Sequence, residues 1–381
     1  MNYFKVLFFL EKGNRSLFNF PRSEQERYLN SLSEAIDDID RSYKQYLCQN
    51  QFVRPCAKIL ALNIVGAVTL PFLTLWYLTK RIGVRKKNNI KCIIETKGVS
   101  EVVPNEVKIK YDPSEDYIKG ASLSFADLGF IGKLLYRVPL HPYFVFKSMM
   151  HVAKYSDLFY RYHPQVMIRF WEFSFCSSVL TAYCHQSNVK HVDVMHGEKL
   201  FNIRDSFFHF DECYVWSNHY VELFKSLKAE PTQFHVALPS SMKIEVERYL
   251  NPSVYADYKY YLAIFSEEQI KSIVDSMECF KQNGKTIKFR PHPRYSDLDL
   301  LRKYVDESDI EYPQKVSILE SVSNLCCAVG SYTTVLSQAW FSGKSVVFDD
   351  MTFKEQYDVL SDLQYGLIAQ NCDLLSSFQH D

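Results

Sequence analysis

The chain has 381 residues, of which 44 are Lys or Arg, 44 are Asp or Glu, and 15% are aromatic. That length is long for one hydrophobic core and natural for two α/β domains. The balanced charge gives no global field toward nucleic acid, which sets that class aside. Ten cysteines show neither a CxxC pair nor a regular spacing, and Cys92, Cys176, Cys326 and Cys327 sit in apolar runs. They predict buried thiols in a reducing cytosol, not a disulfide framework or a zinc site.

Residues 1–10, MNYFKVLFFL, read as a short strand or an apolar helical turn, and they lack the basic start and cleavage site of a signal peptide. Residues 23–51 carry apolar side chains at helical spacing, from Tyr28 and Leu32 to Tyr46 and Leu47, and predict one polar helix. The run 59–78, ILALNIVGAVTLPFLTLWYL, contains no charge. Arg54 and Lys58 flank it on one side, and Lys80, Arg81, Arg85, Lys86 and Lys87 on the other. It is long enough to span a bilayer, yet Asn63, Gly66, Thr69, Pro71 and Thr74 interrupt it. Three readings stand: a buried helix, a segment docked on an anionic membrane surface, and a span.

After this basic linker an α/β pattern begins. Strands are expected at 91–96, 106–111, 165–171, 190–195, 211–216 and 234–238, with helices at 140–162, 174–186 and 218–227. The tyrosine-rich stretch 241–260 reads as a linker between an N-terminal domain (1–240) and a C-terminal domain (261–381). In the second domain strands are expected at 261–265, 286–290, 310–312, 325–329 and 345–348. Helices at 267–282, 298–305 and 317–323 alternate with them, and further helices are expected over 351–381.

The stretch 285–350 carries the chemistry. KTIKFRPHPR is a strand that breaks at Pro291 and leaves Arg290, His292 and Arg294 at its carboxyl end. LCCAVGSYTTVLSQAW is a strand, a Gly330-Ser331-Tyr332-Thr333-Thr334 turn and a helix. Ligands of parallel sheets sit beyond the carboxyl ends of the strands. A helix start offers unsatisfied N–H groups and a favourable dipole, and arginine and histidine offer donors suited to phosphate. Asp349, ending the next strand, is a candidate for a sugar or ribose hydroxyl. Earlier in the chain, His196-Gly197-Glu198-Lys199 follows a strand and faces the same side of its own α/β unit.

A strand ending in His-Gly, then one ending in His-Pro, then a Ser/Thr pair opening a helix resembles bacterial cell-surface polymer transferases of GT-B architecture. The patterns most alike are CDP-glycerol glycerophosphotransferases and bacterial sialyl- and Kdo-transferases. The resemblance covers about 190–350 and departs at two points: no Asp/Glu-Asp/Glu-Gly triplet is present, and Thr-Thr stands where relatives often have Ser-Ser or Ser-Thr. It implies two Rossmann-like domains facing a cleft. It also implies transfer of a sugar or polyol phosphate from a cytidine- or uridine-linked donor to a bacterial surface glycan (O-antigen, capsule or lipooligosaccharide). Donor phosphates would be held by His292, Arg290, Arg294, Gly330, Ser331, Thr333 and Thr334. His196 would be the base, with Glu198 as the second candidate. No cofactor and no metal are expected, because Asp297-Leu298-Asp299 opens a helix and no Asp-x-Asp ends a strand. The expected setting is the inner face of the cytoplasmic membrane, with a glycan or lipid-linked acceptor as partner. Two other readings remain at this point, a non-hydrolysing nucleotide-sugar epimerase and a non-catalytic membrane-docked assembly protein.

Overall fold

The runs 92–94, 166–169 and 212–215 are buried along their whole length. Parallel strands covered by helices on both faces require that pattern. The structure, a computed structural model, describes residues 20–51, 56–95, 100–115 and 120–378, so the element expected at 1–10 lies outside the described residues. The chain forms two compact units, one running to His196 and resuming at Phe201–Ala237, the other made of Gly197–Leu200 and Leu238–Asp381.

In chain order the first unit contains α1 (Arg22–Ser31), α2 (Asp38–Gln51), α3 (Cys56–Arg81), β1 (Cys92–Ile94), α4 (Asn105–Tyr111), β2 (Ser114–Glu115), α5 (Asp127–Arg137) and α6 (Pro142–Tyr162). There follow β3 (Val166–Arg169), α7 (Ser177–Gln186), β4 (Lys190–Val194), β5 (Glu212–Val215), α8 (Asn218–Ser226) and β6 (Phe234–Val236). Among the described residues its six strands pair in parallel in the order β2-β1-β3-β4-β5-β6.

Two of the expected elements take another form. The single helix expected over 23–51 is two, because the Asp37 carboxylate takes the Asp40 N–H at 2.9 Å and starts a new helix. The strand expected at 106–111 is helix α4, whose buried residues Val107 and Tyr111 are one helical turn apart.

The hydrophobic run is helix α3, longer than expected and carrying Pro71 within it. Its inner face is fixed to α6. Leu62, Leu70 and Tyr77 are buried, and Asn63 Oδ1 accepts the Tyr143 N–H at 3.2 Å. A Cβ on Gly66 would stand 2.7 Å from the Tyr143 backbone, so only glycine permits this approach of the two helices.

The second unit contains β7 (Ala256–Tyr261), α9 (Glu267–Gln282), β8 (Ile287–Arg290), α10 (Leu298–Leu301), α11 (Ile318–Ser323) and β9 (Leu325–Gly330). It ends with α12 (Thr334–Phe341), β10 (Ser345–Phe348), α13 (Lys354–Asp362), α14 (Gly366–Ala369) and β11 (Asp373–Leu374). The parallel strand order is β8-β7-β9-β10-β11. In order of appearance that is 2-1-3-4-5, the doubly wound order whose switch point lies between the first and third strands.

Strand β7 ends where a strand had been expected to begin, and it occupies part of the stretch read as a linker. Its sequence ADYKYY places Lys259 inside the sheet unit, fully buried, where the ammonium meets Glu311 at 2.5 Å. Residues 310–312 contribute one bridge, Phe289 to Ile310, and not a strand of their own. The expected helix 298–305 is the short α10, which Asp297 caps by accepting the Leu300 N–H.

Candidate functional site

Register brings the candidate donor residues to one level. Tyr261 is paired with Arg290 on one side and Gly330 on the other, and Gly330 is paired with Phe348. The loops leaving β8, β7 and β9 therefore start side by side at the carboxyl edge. His292 and Ser331 leave strands two spacings apart, about 10 Å, with the β7 loop between them. This edge includes the β7–β9 switch point, where open parallel sheets hold their ligands.

The Ser296 hydroxyl joins two of these loops. It donates to the Ala263 carbonyl at 2.7 Å and accepts the His292 N–H at 2.8 Å. The His292 ring lies on Tyr295, centroids 4.4 Å apart, and its Nδ1 accepts the Arg294 N–H at 3.1 Å. Partial burial, then the positive Arg294, lowers its pKa. The ring is accordingly neutral near pH 7. With Nδ1 accepting, its proton sits on Nε2. His292 is thus a neutral hydrogen-bond donor, not the cation that a protonated ring would supply. Arg294 is exposed beside it. Tyr295 and Ser296 had no signal in the sequence beyond their nearness to His-Pro.

At the next loop Gly330 is required by space, since a Cβ there would stand 3.0 Å from the Tyr261 carbonyl oxygen. Thr333 is the N-cap of α12, its hydroxyl accepting the Val335 N–H at 3.4 Å. Thr334 opens the helix and is exposed, Tyr332 and Thr333 are half-buried, and Ser331 is buried. Thr334 is thus the most exposed residue of this turn.

Two expected ligand residues are used elsewhere. Arg290 is buried; its guanidinium pairs with Glu311 at 2.8 Å and donates to the Val316 carbonyl at 2.9 Å. Glu311 also holds Lys259 and accepts the Ser321 hydroxyl, so Arg290 belongs to an internal ion cluster and is corrected from ligand to scaffold. Asp349 is also buried. It accepts the Tyr260 hydroxyl and the N–H groups of Met351 (3.1 Å) and Thr352 (2.9 Å), and so shapes the turn after β10. It is corrected from hydroxyl-binding residue to turn support.

The two candidates for the base separate. His196 is exposed after β4, its ring edge-on to Phe170 at 5.6 Å. Glu198 lies in the segment that packs with the second unit, where its carboxylate accepts the Ser337 hydroxyl of α12 at 3.2 Å. In the first unit, the switch point between β1 and β3 is occupied by Arg169, buried, paired with Glu95 and stacked on Trp171 at 3.5 Å. Burial pushes that guanidinium down to about 9, which leaves it charged near neutrality.

The fold class is α/β: two doubly wound, Rossmann-like units, the first of which includes an N-terminal helical, partly hydrophobic segment. No protein-family model and no curated protein matches the sequence. Among solved structures the chain is similar to the wall teichoic acid polymerase TagF, at 10% identity over 82% of this chain and 83% of that one, TM-score 0.40. It is similar to Anabaena HepE, solved with UDP and glucose, at 10% identity over 76% and 97% of the two chains, TM-score 0.36. It is also similar to the UDP-GlcNAc 2-epimerase of Methanocaldococcus jannaschii, solved with UDP-GlcNAc and UDP, at 12% identity over 71% and 87%, TM-score 0.38. These are likenesses of fold.

Proposed function

We propose that the protein is a glycosyltransferase that takes a sugar or polyol phosphate from a cytidine- or uridine-linked donor and adds it to a bacterial surface glycan. The observation that carries this reading is the carboxyl edge of the second sheet. There His292 and Arg294 leave β8 and the start of α12 follows β9, on either side of β7, at an edge that includes the β7–β9 switch point. An acceptor hydroxyl attacks the donor, the bond to the nucleotide phosphate oxygen breaks, and the charge developing on that oxygen meets the N–H groups of α12, the Nε2–H of His292 and Arg294. The hydroxyl proton passes to a base, for which exposed His196 is the candidate. Cys92, Cys176 and Cys327 are buried thiols, which suits a reducing compartment, whereas Cys326 is exposed and departs from expectation.

The test is thermal unfolding against CMP-, CDP-, UDP- and GDP-linked donors. A donor at about 100 times its Kd raises stability by about 2.7 kcal/mol, and the cytidine or uridine series is expected to do so. Absence of any nucleotide-dependent shift at saturating concentration contradicts the reading. Conversion of a nucleotide sugar to its epimer without acceptor would assign the site to an epimerase.

A further inference from the structure

The outer face of α3 is unlike the rest of the surface. Leu60, Ile64, Val68, Phe72, Leu75 and Trp76 recur at helical spacing and are exposed, from 50% at Trp76 to 73% at Phe72. A continuous apolar stripe of this kind on a surface helix marks a contact site. The polar side chains of the helix do not interrupt it. Asn63 donates to the Ile59 carbonyl, Thr69 to Val65 and Thr74 to Leu70, each bond lying inside the helix. Phe125 and Leu140, both more than 80% exposed, add to the apolar surface next to the helix. Phe125 lies two residues beyond Leu123, whose N–H meets the Tyr77 carbonyl, and Leu140 lies two before Pro142, which abuts Gly66.

We propose that this face docks the first unit on an anionic bilayer, with α3 lying in the plane of the interface. Charge commits the face to lipid. Exposed Lys80, Arg85 and Lys86 follow the stripe, and the Lys80 ammonium stands 5.1 Å over the Trp76 ring, an aromatic suited to the headgroup level. A two-fold contact between copies of this chain must be self-complementary. Helix α3 contains no acidic residue to receive those cations. The in-plane geometry follows from the opposite face, where Leu62, Gly66, Leu70 and Tyr77 are held on α6. The helix is long and apolar enough to cross a membrane, but a crossing would require it to leave α6. The proposal is independent of the transfer reading.

The test is flotation of the whole protein with phosphatidylcholine vesicles, with and without phosphatidylglycerol. Binding is expected to need phosphatidylglycerol and to weaken with salt. Val68→Asp with Phe72→Asp is expected to lower partitioning by at least about tenfold, and charge reversal at Lys80, Arg85 and Lys86 to abolish the preference for anionic lipid. Charge reversal at Lys80, Arg85 and Lys86 leaves all six stripe residues apolar, so the second variant decides should the first fail to fold. Quenching by brominated lipids, referred to a Trp76→Phe control, is expected to place Trp76 at headgroup depth. Absence of flotation overturns the proposal, as does unchanged flotation in both variants. Quenching at the bilayer centre overturns the in-plane geometry. Conversion of a dimer to monomers by the Asp variant in vesicle-free buffer would assign the face to a second copy. Nucleotide affinity, measured on the same variants, is expected to be unchanged and reports separately on the donor site.

Discussion

His292 and Arg290 stand two residues apart and do different work. The His292 ring is half-exposed, rests on Tyr295 and keeps its proton on Nε2, so its loss removes a donor without opening the core. His292→Ala is expected to lower the transfer rate by about a hundredfold, with the melting temperature nearly unchanged; a rate within a few-fold of wild type contradicts the role. Arg290→Ala leaves Glu311 buried with less than its due of positive charge, and a buried ion cluster that loses one partner is destabilised by about 3–5 kcal/mol. Chemical denaturation is therefore expected to show a large stability loss for Arg290→Ala and a small one for His292→Ala. In the sequence both residues stand in the same short run, FRPHPR, and look equally suited to phosphate. What separates them is Glu311, a residue brought to Arg290 by the fold and not by proximity in the chain.

At the scale of elements, the buried strands were legible because a parallel strand covered on both faces reads as a short apolar run. Strands β3, β4, β5, β8, β9 and β10 stand close to where those runs predict them. Strand β7 was hidden by Lys259, a charge that a buried strand tolerates only because Glu311 meets it. Helix α4 was misread because VKIK alternates with a strand's period, although only Val107 and Tyr111 reach the core. The GSYTT turn and its helix were legible through turn chemistry, since Gly330 and the capping Thr333 act locally. The switch point was not, because strand order depends on pairings between distant segments. Replacing Gly330 by Ala presses a Cβ on the Tyr261 carbonyl at 3.0 Å. The strain falls on the β7 and β9 exits together, and nucleotide affinity is expected to drop in calorimetry while the first unit's melting is unaffected.

For the whole molecule, pH dependence follows from buried histidines in the first unit. His191 lies between the Tyr155 hydroxyl (2.9 Å) and the Thr181 hydroxyl (2.8 Å), and burial, then Arg169, His185 and His209, holds its pKa well below the ordinary value. Burial, then Lys154 and Lys147, does the same for His151. In the unfolded chain both take up protons near pH 6.5, whereas the folded chain refuses them until much lower pH. Their contribution is therefore whole above about pH 6.5, and below it each removes about 1.4 kcal/mol per pH unit. Glu212 acts in a lower window. Burial would raise its pKa, but hydrogen bonds from Lys190, Tyr111, Lys110 and Tyr214 bring it down to about 2. Denaturation midpoints are expected to fall between pH 7.5 and 5.5, and His191→Gln to flatten that fall; a flat profile for the wild type contradicts the assignment.

In the proposed division of labour the second unit holds the donor phosphates at the start of α12 and His196 serves the acceptor. Calorimetric nucleotide affinity, measured beside the transfer rate, tests it most directly. Thr333→Val with Thr334→Val keeps the volume and removes the hydroxyls, so nucleotide binding is expected to weaken by about 1–3 kcal/mol. His196→Ala is expected to abolish transfer with nucleotide affinity nearly intact. Undiminished nucleotide affinity in the threonine variant would exclude the start of α12 as the phosphate site, and its loss in His196→Ala would move His196 into the donor site.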